Sequence, residues 1–223
     1  MLQRNDTGFL ADVRKRLYTA VLSDVLDELG YRQQAFPPSI RPLDDALVLA
    51  GFARTGVYRD VYRVVPDQNP YELEMALIDD LKPDQVAVFG CGGSTRIAPW
   101  GELLSTAARA RGAAGCVTDG MVRDIRAIRT MKFPVFHGGI APLDSKGRGM
   151  VAEIDVPIEC AGVSIEPGDL IVGDADGVVV VPRAVEDEAL THAFAKVTGE
   201  DHTREELAAG ASLKEVFAKY RVL

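Results

Sequence analysis

The densest run of reactive side chains is Thr118-Asp119-Gly120-Met121-Val122-Arg123-Asp124. It continues the apolar run Ala114-Gly115-Cys116-Val117, which reads as a strand. Two carboxylates and a guanidinium therefore fall at a strand's C-terminal end, the edge at which open α/β sheets bind ligands. A guanidinium there can clamp a carboxylate through two hydrogen bonds and stabilise enolate charge, and an adjacent Asp can ligate a hard cation. The local pattern equally admits a structural reading, with Asp124 capping the next helix and Arg123 paired to a nearby acid. Asp119 fits either a layer behind Arg123 or a turn.

Two further segments could meet a ligand. Gly90-Cys91-Gly92-Gly93-Ser94 follows the buried-type strand Gln85–Gly90, so the backbone of Gly92 and Gly93 can approach an anion closely. Its spacing matches neither a dinucleotide fingerprint nor a P-loop, which points to a smaller ligand. Gly101-Glu102-Leu103-Leu104 opens a predicted helix, where free N–H groups and the positive end of the dipole favour a carboxylate or phosphate. Glu102 there either adds charge to a site or only offsets the helix dipole.

The elements that must position these groups read as α/β. Predicted helices at 8–30, 70–80, 101–111 and 124–131 alternate with predicted strands at 46–53, 57–65, 85–90, 114–118 and 133–136. From 150 onward short β-type runs are separated by Gly, Pro and Asp turns, and helices are expected at 184–198 and 203–220. No linker divides residues 1–223, so a single domain is expected, in a layered α/β arrangement with a helical C-terminus. A TIM barrel needs about eight βα units and roughly 250 residues.

Composition narrows the function classes. A formal charge of −8 and a pI near 5.0 oppose nucleic acid or anionic membrane as the main partner. No apolar run reaches the roughly 20 residues of a membrane span, and the first residues lack the apolar core of a leader, so a cytoplasmic location is expected. Cys91, Cys116 and Cys160 are expected to be reduced and buried. The three histidines form no metal-binding pair, and His137 is expected in a loop or pocket wall. Lys132 and Lys146 are the nearest candidates for a Schiff-base lysine, without a convincing context.

The runs WGELLSTAARARGAAG, VTDGMVRDIRAIRTMKFPVFHGG and VPIECAGVSIEPGDLIVGDADGVVVVP together resemble the 4-hydroxy-4-methyl-2-oxoglutarate aldolase and RraA-like family. The opening LYTAVLSDVLDELGYRQQAFPPSIRPL and the ending GEDHTREELAAGASLKEVFAKYRVL are also similar to it, so the resemblance spans nearly the whole chain.

The resemblance implies a phosphohistidine-domain-like, swivelling β/β/α fold, assembled as a homotrimer or a dimer of trimers with sites between subunits. It implies a class II pyruvate aldolase, a lyase with an oxaloacetate decarboxylase side activity. Asp124 would bind Mg²⁺ or Mn²⁺, Arg123 would contact the pyruvate unit, and Glu102 would act with Glu200 of a neighbouring subunit. Gly101 and the amides of Leu103 and Leu104 would meet the substrate carboxylate. The family also contains regulators that bind a ribonuclease without chemistry, which is the alternative function. The segment Pro66–Tyr71, with Arg59 and Arg63 before it, departs from the aldolase pattern and leaves the far end of the substrate open.

Overall fold

The structure, a computed structural model, describes residue 4 and residues 6–221; the chain's first residues, read above for a leader, and its last two fall partly or wholly outside them. Its frame is a parallel run of four strands, β2 (Leu49–Asp60), β3 (Gln85–Gly90), β4 (Gly115–Val122) and β5 (Val135–Ile140). Each successive pair is joined by a helix: α3 (Glu72–Asp79), α4 (Glu102–Ala110) and α5 (Ile125–Met131). Such crossovers are needed because parallel neighbours cannot be joined by a tight turn.

The short β1 (Arg41–Pro42) pairs antiparallel with β5 at one edge. On the other side β2 pairs antiparallel with β9 (Leu170–Gly173), β9 pairs with β10 (Val178–Val181), and the outer half of β2 also holds β6 (Gly149–Ile154). A separate hairpin of β7 (Ile158–Cys160) and β8 (Val163–Ile165) lies over one face. The result is the expected β/β/α layering with a helical C-terminus.

Strand alternation builds both interfaces. Val86, Val88, Val117, Ile171, Val178 and Val180 face the hairpin, where Ile158, Cys160, Val163 and Ile165 cover them. Their neighbours Ala87, Phe89 and Cys116 face α3, α4 and α5 instead. Farther along the same face, Leu170, Val172, Val179 and Val181 pack on α1 (Phe9–Arg16), α2 (Thr19–Glu28) and α6 (Glu186–Ala208).

Three regions differ from the sequence reading. The single helix expected at 8–30 is two, because Leu17 and Tyr18 turn extended and Asp174 accepts from both the amide and the hydroxyl of Thr19 at 2.8 and 2.7 Å. Strands expected at 46–53 and 57–65 are one continuous β2, whose polar middle is held by Arg54 bonding Asp80 and, through two nitrogens, Asp155. Gly56 in the same stretch is packed so close to Phe89 that a Cβ would sit 2.8 Å from its ring. The two C-terminal helices divide at Gly210 (φ 94°), not near 200, so α6 runs unbroken through Gly199 and α7 is Leu213–Tyr220.

Asp119 ties these layers together. It sits in β4 at a break in register between Thr118 and Met121, and it is buried. Its carboxylate accepts from the amides of Cys91, of Gly93 at 2.8 Å and of Ala161 at 3.1 Å. The loop after β3, the strand β4 and the hairpin layer are thereby joined at one group. Replacing Asp119 with Ala strands three amides, and a buried donor without a partner costs about 1–3 kcal/mol. Asp119→Ala is expected to lower unfolding free energy by roughly 3–5 kcal/mol in urea titration; a loss under about 1 kcal/mol would remove this role.

Candidate active site

All four parallel strands deliver their following residues to one edge of the sheet. β2 leads to Tyr71 and Glu74, β3 to Gly101, Leu103 and Leu104, β4 to Arg123 and Asp124, and β5 to Asp144 and Ser145. These residues line one cavity of about 300 Å³, a volume that suits a small ligand.

The segment before α4 is locked by its own bonds. Trp100 is buried and pairs in parallel with Val122, its carbonyl accepts the Arg123 amide at 3.0 Å, and its indole donates to Ser105 Oγ at 2.8 Å. Ser105 in turn donates to the Gly101 carbonyl at 2.9 Å. Gly101 leaves room for Asp124: a Cβ would lie 2.8 Å from its Oδ2 and displace that carboxylate. Helix geometry leaves the Leu103 and Leu104 amides without intrahelical acceptors, and both residues line the cavity.

Asp124 adopts a left-handed backbone (φ 57°) at the start of α5, and makes no side-chain cap on that helix. Its Oδ2 instead accepts the Glu102 amide at 3.2 Å, across from α4. The capping reading of Asp124 is thus replaced by a bridge between two helix starts. Arg123 Nη1 donates to the Leu143 carbonyl at 3.2 Å, and the guanidinium lies 3.7 Å from both Asp124 and Asp144. Part-exposed ion pairs at that range hold weakly, so an incoming carboxylate can compete for Arg123.

Sequence reading missed Tyr71, Glu74, Asp144 and Ser145. The Tyr71 hydroxyl donates to Asp144 Oδ2 at 2.8 Å; burial, then Asp144, pushes Tyr71 up to about 12. Burial works to raise Asp144 but is outweighed by Tyr71, the Lys146 and Ser145 amides and Arg123, which hold it below the usual carboxylate range. Glu74 is 6% exposed. Burial pushes its carboxyl up to about 7; Asp144 adds to the rise, and Tyr58 and Arg123 oppose it.

Other expected residues stand apart from the cavity. Gly92 and Gly93 do not line it, and the Gly93 amide is engaged by Asp119. Asp119 braces backbone and makes no bond to Arg123. Glu102 borders the open groove on the other side of Asp124 and accepts from Thr106 Oγ1 at 2.9 Å. Glu200 lies within α6, 3.9 Å from Arg204, away from both hollows of its own chain. His137 lies inside β5, buried, rather than in a loop or pocket wall. Lys132 and Lys146 line neither hollow. The three cysteines are free and buried, and burial raises each thiol well above its usual range, which leaves no activated nucleophile.

The donor set can be tested against a metal. Among the described residues no three His, Cys, Asp or Glu side chains converge as a metal site. Mg²⁺ and Mn²⁺ are commonly held by one or two carboxylates, with water and substrate completing the shell. Asp124, with Glu102 next to it, fits that mode and does not fit a closed zinc site.

The parallel strands thus carry a guanidinium, a carboxylate and a helix start at their carboxyl edge, the edge at which open α/β sheets bind ligands. The chain belongs to the RraA-like family, described as Aldolase/RraA, whose profile matches residues 19–180. It is 37% identical over 187 residues to a Halalkalibacterium halodurans protein provisionally assigned as a 4-hydroxy-4-methyl-2-oxoglutarate aldolase, covering 84% of this chain and 82% of that one. It is 30% identical to protein DlpA of Legionella pneumophila, covering 91% of this chain and 32% of that longer one. The crystal structure of Streptomyces coelicolor RraAS2, described as an unusual member of the RNase ES inhibitor RraA family, superimposes with TM-score 0.78 at 28% identity, covering 92% and 99% of the two chains. No helix among the described residues is long and apolar enough to cross a membrane.

The raised Glu74 carboxyl makes stability depend on pH. The folded protein holds this proton up to about 7 while the unfolded chain releases it near 4.5, so Glu74's contribution is full below the unfolded value and is lost as pH rises through the folded one. Across that window wild type is expected to lose about 3 kcal/mol relative to Glu74→Gln, which has no proton to release. Urea unfolding of both proteins from about pH 4 to about pH 8 checks this; parallel stability curves would place Glu74 in an ordinary carboxylate environment.

Proposed function

We propose that this chain is a divalent-metal-dependent aldolase that cleaves a 4-hydroxy-2-oxo acid, such as 4-hydroxy-4-methyl-2-oxoglutarate, to pyruvate. The observation that carries the reading is the convergence of Arg123, Asp124 and the free start of α4 on one small cavity. A 2-oxo acid has a carboxylate for the Leu103 and Leu104 amides and an oxo group that becomes an enolate on cleavage. Arg123 would receive that charge. The aldolase name carried by the Halalkalibacterium relative supports the same reading.

Asp124 would hold Mg²⁺ or Mn²⁺, which when bound supplies Lewis-acid polarisation of the substrate's oxo group. Glu102 would orient a water that takes the C4 hydroxyl proton, with Glu200 of a neighbouring copy completing its grip. That division fits Glu200 lying away from its own chain's cavity, with burial raising its carboxyl and Arg204 opposing the rise. The active form would then be a cytoplasmic homotrimer or dimer of trimers. Decarboxylation of oxaloacetate leads to the same enolate and is expected as a side activity.

A second reading, a binding protein that restrains a ribonuclease, draws on the likeness to RraAS2. Fold alone does not separate the two.

Pyruvate release from 4-hydroxy-4-methyl-2-oxoglutarate and oxaloacetate, with Mg²⁺ or Mn²⁺ and then with excess chelator, decides between them. Metal-dependent release is expected, reduced roughly 100- to 1000-fold in kcat/KM by Asp124→Ala or Arg123→Ala with folding retained. No release from folded, metal-supplied protein would favour the regulator.

Mixing Asp124→Ala with Glu200→Ala subunits tests the shared site. Under conditions of demonstrated subunit exchange, the mixture is expected to regain activity that neither variant has alone. Lasting inactivity would remove the support for a site shared between subunits.

A further inference from the structure

Aldol cleavage leaves an enolate that must gain a proton at C3, and the roles proposed for Arg123 and Asp124, charge stabilisation and metal binding, leave that proton without a source. We propose that Glu74 is the catalytic acid that protonates this carbon, an assignment that rests on the pyruvate-enolate reading of the site.

Position makes the first part of the case. Glu74 lies in the first turn of α3 and faces the sheet with Leu77 and Ile78, yet it borders the cavity across which Arg123 and Asp144 stand. A Glu at this point of a helix ordinarily reaches back to the cap amide. Here the Tyr71 amide is bonded to Asn69 Oδ1 at 3.1 Å instead, so Glu74 does no capping. The Tyr58 hydroxyl approaches it from β2 and opposes the rise of its pKa. Among the described residues no cation forms an ion pair with it. A carboxyl buried this way, with no ion pair of its own, costs free energy unless it is neutral or paired.

Elimination among the cavity's own groups makes the second part. Tyr71 donates its proton to Asp144 and holds it to about 12. Asp144, bonded by Tyr71 and by the Lys146 amide, stays ionised. Glu74 is the cavity carboxyl that burial keeps protonated to about 7, with Tyr58 and Arg123 opposing the rise and Asp144 reinforcing it. An acid matched to neutral pH transfers protons most effectively there.

The step balances. The C4 hydroxyl proton passes to the base, the C3–C4 electron pair becomes the enolate C2–C3 π bond, and the C4 carbonyl fragment forms. The enolate then takes the Glu74 proton at C3, the C2 carbonyl returns, and Glu74 is left as a carboxylate. The proton taken from the hydroxyl returns to Glu74 through water, so the reaction consumes none. In reverse, Glu74 carboxylate removes a pyruvate methyl proton.

That reverse step gives the test. Full-length wild type with Mg²⁺ and pyruvate in D₂O is followed by loss of the methyl proton resonance. Glu74→Gln is expected to slow exchange about 100-fold, with the KM for pyruvate changed less than about threefold. Glu74→Asp should recover a substantial share of the rate, and the wild-type exchange profile should rise through about pH 7, a limb absent in Glu74→Gln. Exchange by Glu74→Gln within about threefold of wild type would overturn the assignment. So would equal loss in the Gln and Asp variants, which would mean that shape and not the proton matters. If wild type neither exchanges pyruvate nor releases it from the hydroxy acid, the aldolase reading itself fails; if wild type does both and Glu74→Gln matches it, only the role of Glu74 fails.

Discussion

The buried carboxylate of Asp119 is the constraint from which the rest of the ligand edge follows. A single anion in β4 collecting three amides from two other chain segments fixes where β3 ends, where β4 breaks register and where the hairpin layer sits. The surroundings leave no freedom for it to move. A Cβ at Gly138 would meet the Asp119 carbonyl at 2.4 Å, and one at Gly120 would meet Pro99 and the Cys91 sulfur below 3.0 Å. Backbone of this kind is expensive to rearrange because each freed amide would be buried and unpaired.

Asp124 depends on that frame at one remove. With β4 held at Asp119, Trp100 and Val122 pair and the Arg123 amide bonds Trp100, so the chain enters α5 at a fixed point. Only a left-handed turn at Asp124 then allows its carboxylate to reach the Glu102 amide. A non-glycine residue in that conformation costs free energy, and such positions concentrate where function requires them. The outcome is a carboxylate with one oxygen committed to α4 and its other free to face a ligand. Rigid placement of this sort is what a site needs if it is to bind charge without reorganising.

Much of this was legible in sequence where local pattern and tertiary role agree. Gln85–Gly90, the helix of Glu102–Ala110 and the Arg123-Asp124 pair each announce themselves through strand alternation, helical period or position at a strand end. Non-local causes were invisible: the break at Leu17-Tyr18 rests on Asp174, which lies 155 residues away, and the unbroken β2 rests on Arg54 finding Asp80 and Asp155. Gly199 reads as a helix stop, yet burial of Val197 and Thr203 on either side outweighs the roughly 1 kcal/mol that a helical glycine costs. Asp144 and Ser145 sit in a polar loop with no periodic signal at all. Glu74 did leave a trace, since it stands three, four and seven residues before Leu77, Ile78 and Leu81, on the stripe that faces the core. An acid on an apolar stripe is a stronger signal than an acid at a helix start.

The contrast between Glu74 and Asp144 shows how one cavity keeps two carboxyls in different states. Both are partly withdrawn from water, and both feel Arg123. Asp144 also receives a phenolic proton and backbone amides, which favour its anion. Glu74 receives no amide, and the ionised Asp144 nearby makes a second negative charge costlier still. Ionising Asp144 therefore adds to the burial that keeps Glu74 protonated, and the Tyr71 bond that stabilises the first reinforces the second. Environments that push two titratable groups apart assign acid and base roles within a site. Here the division follows from which loop can offer N–H groups: the turn after β5 exposes its amides to Asp144, while Glu74 projects from the flank of α3, where the amides are either turned along the helix axis or bonded to Asn69.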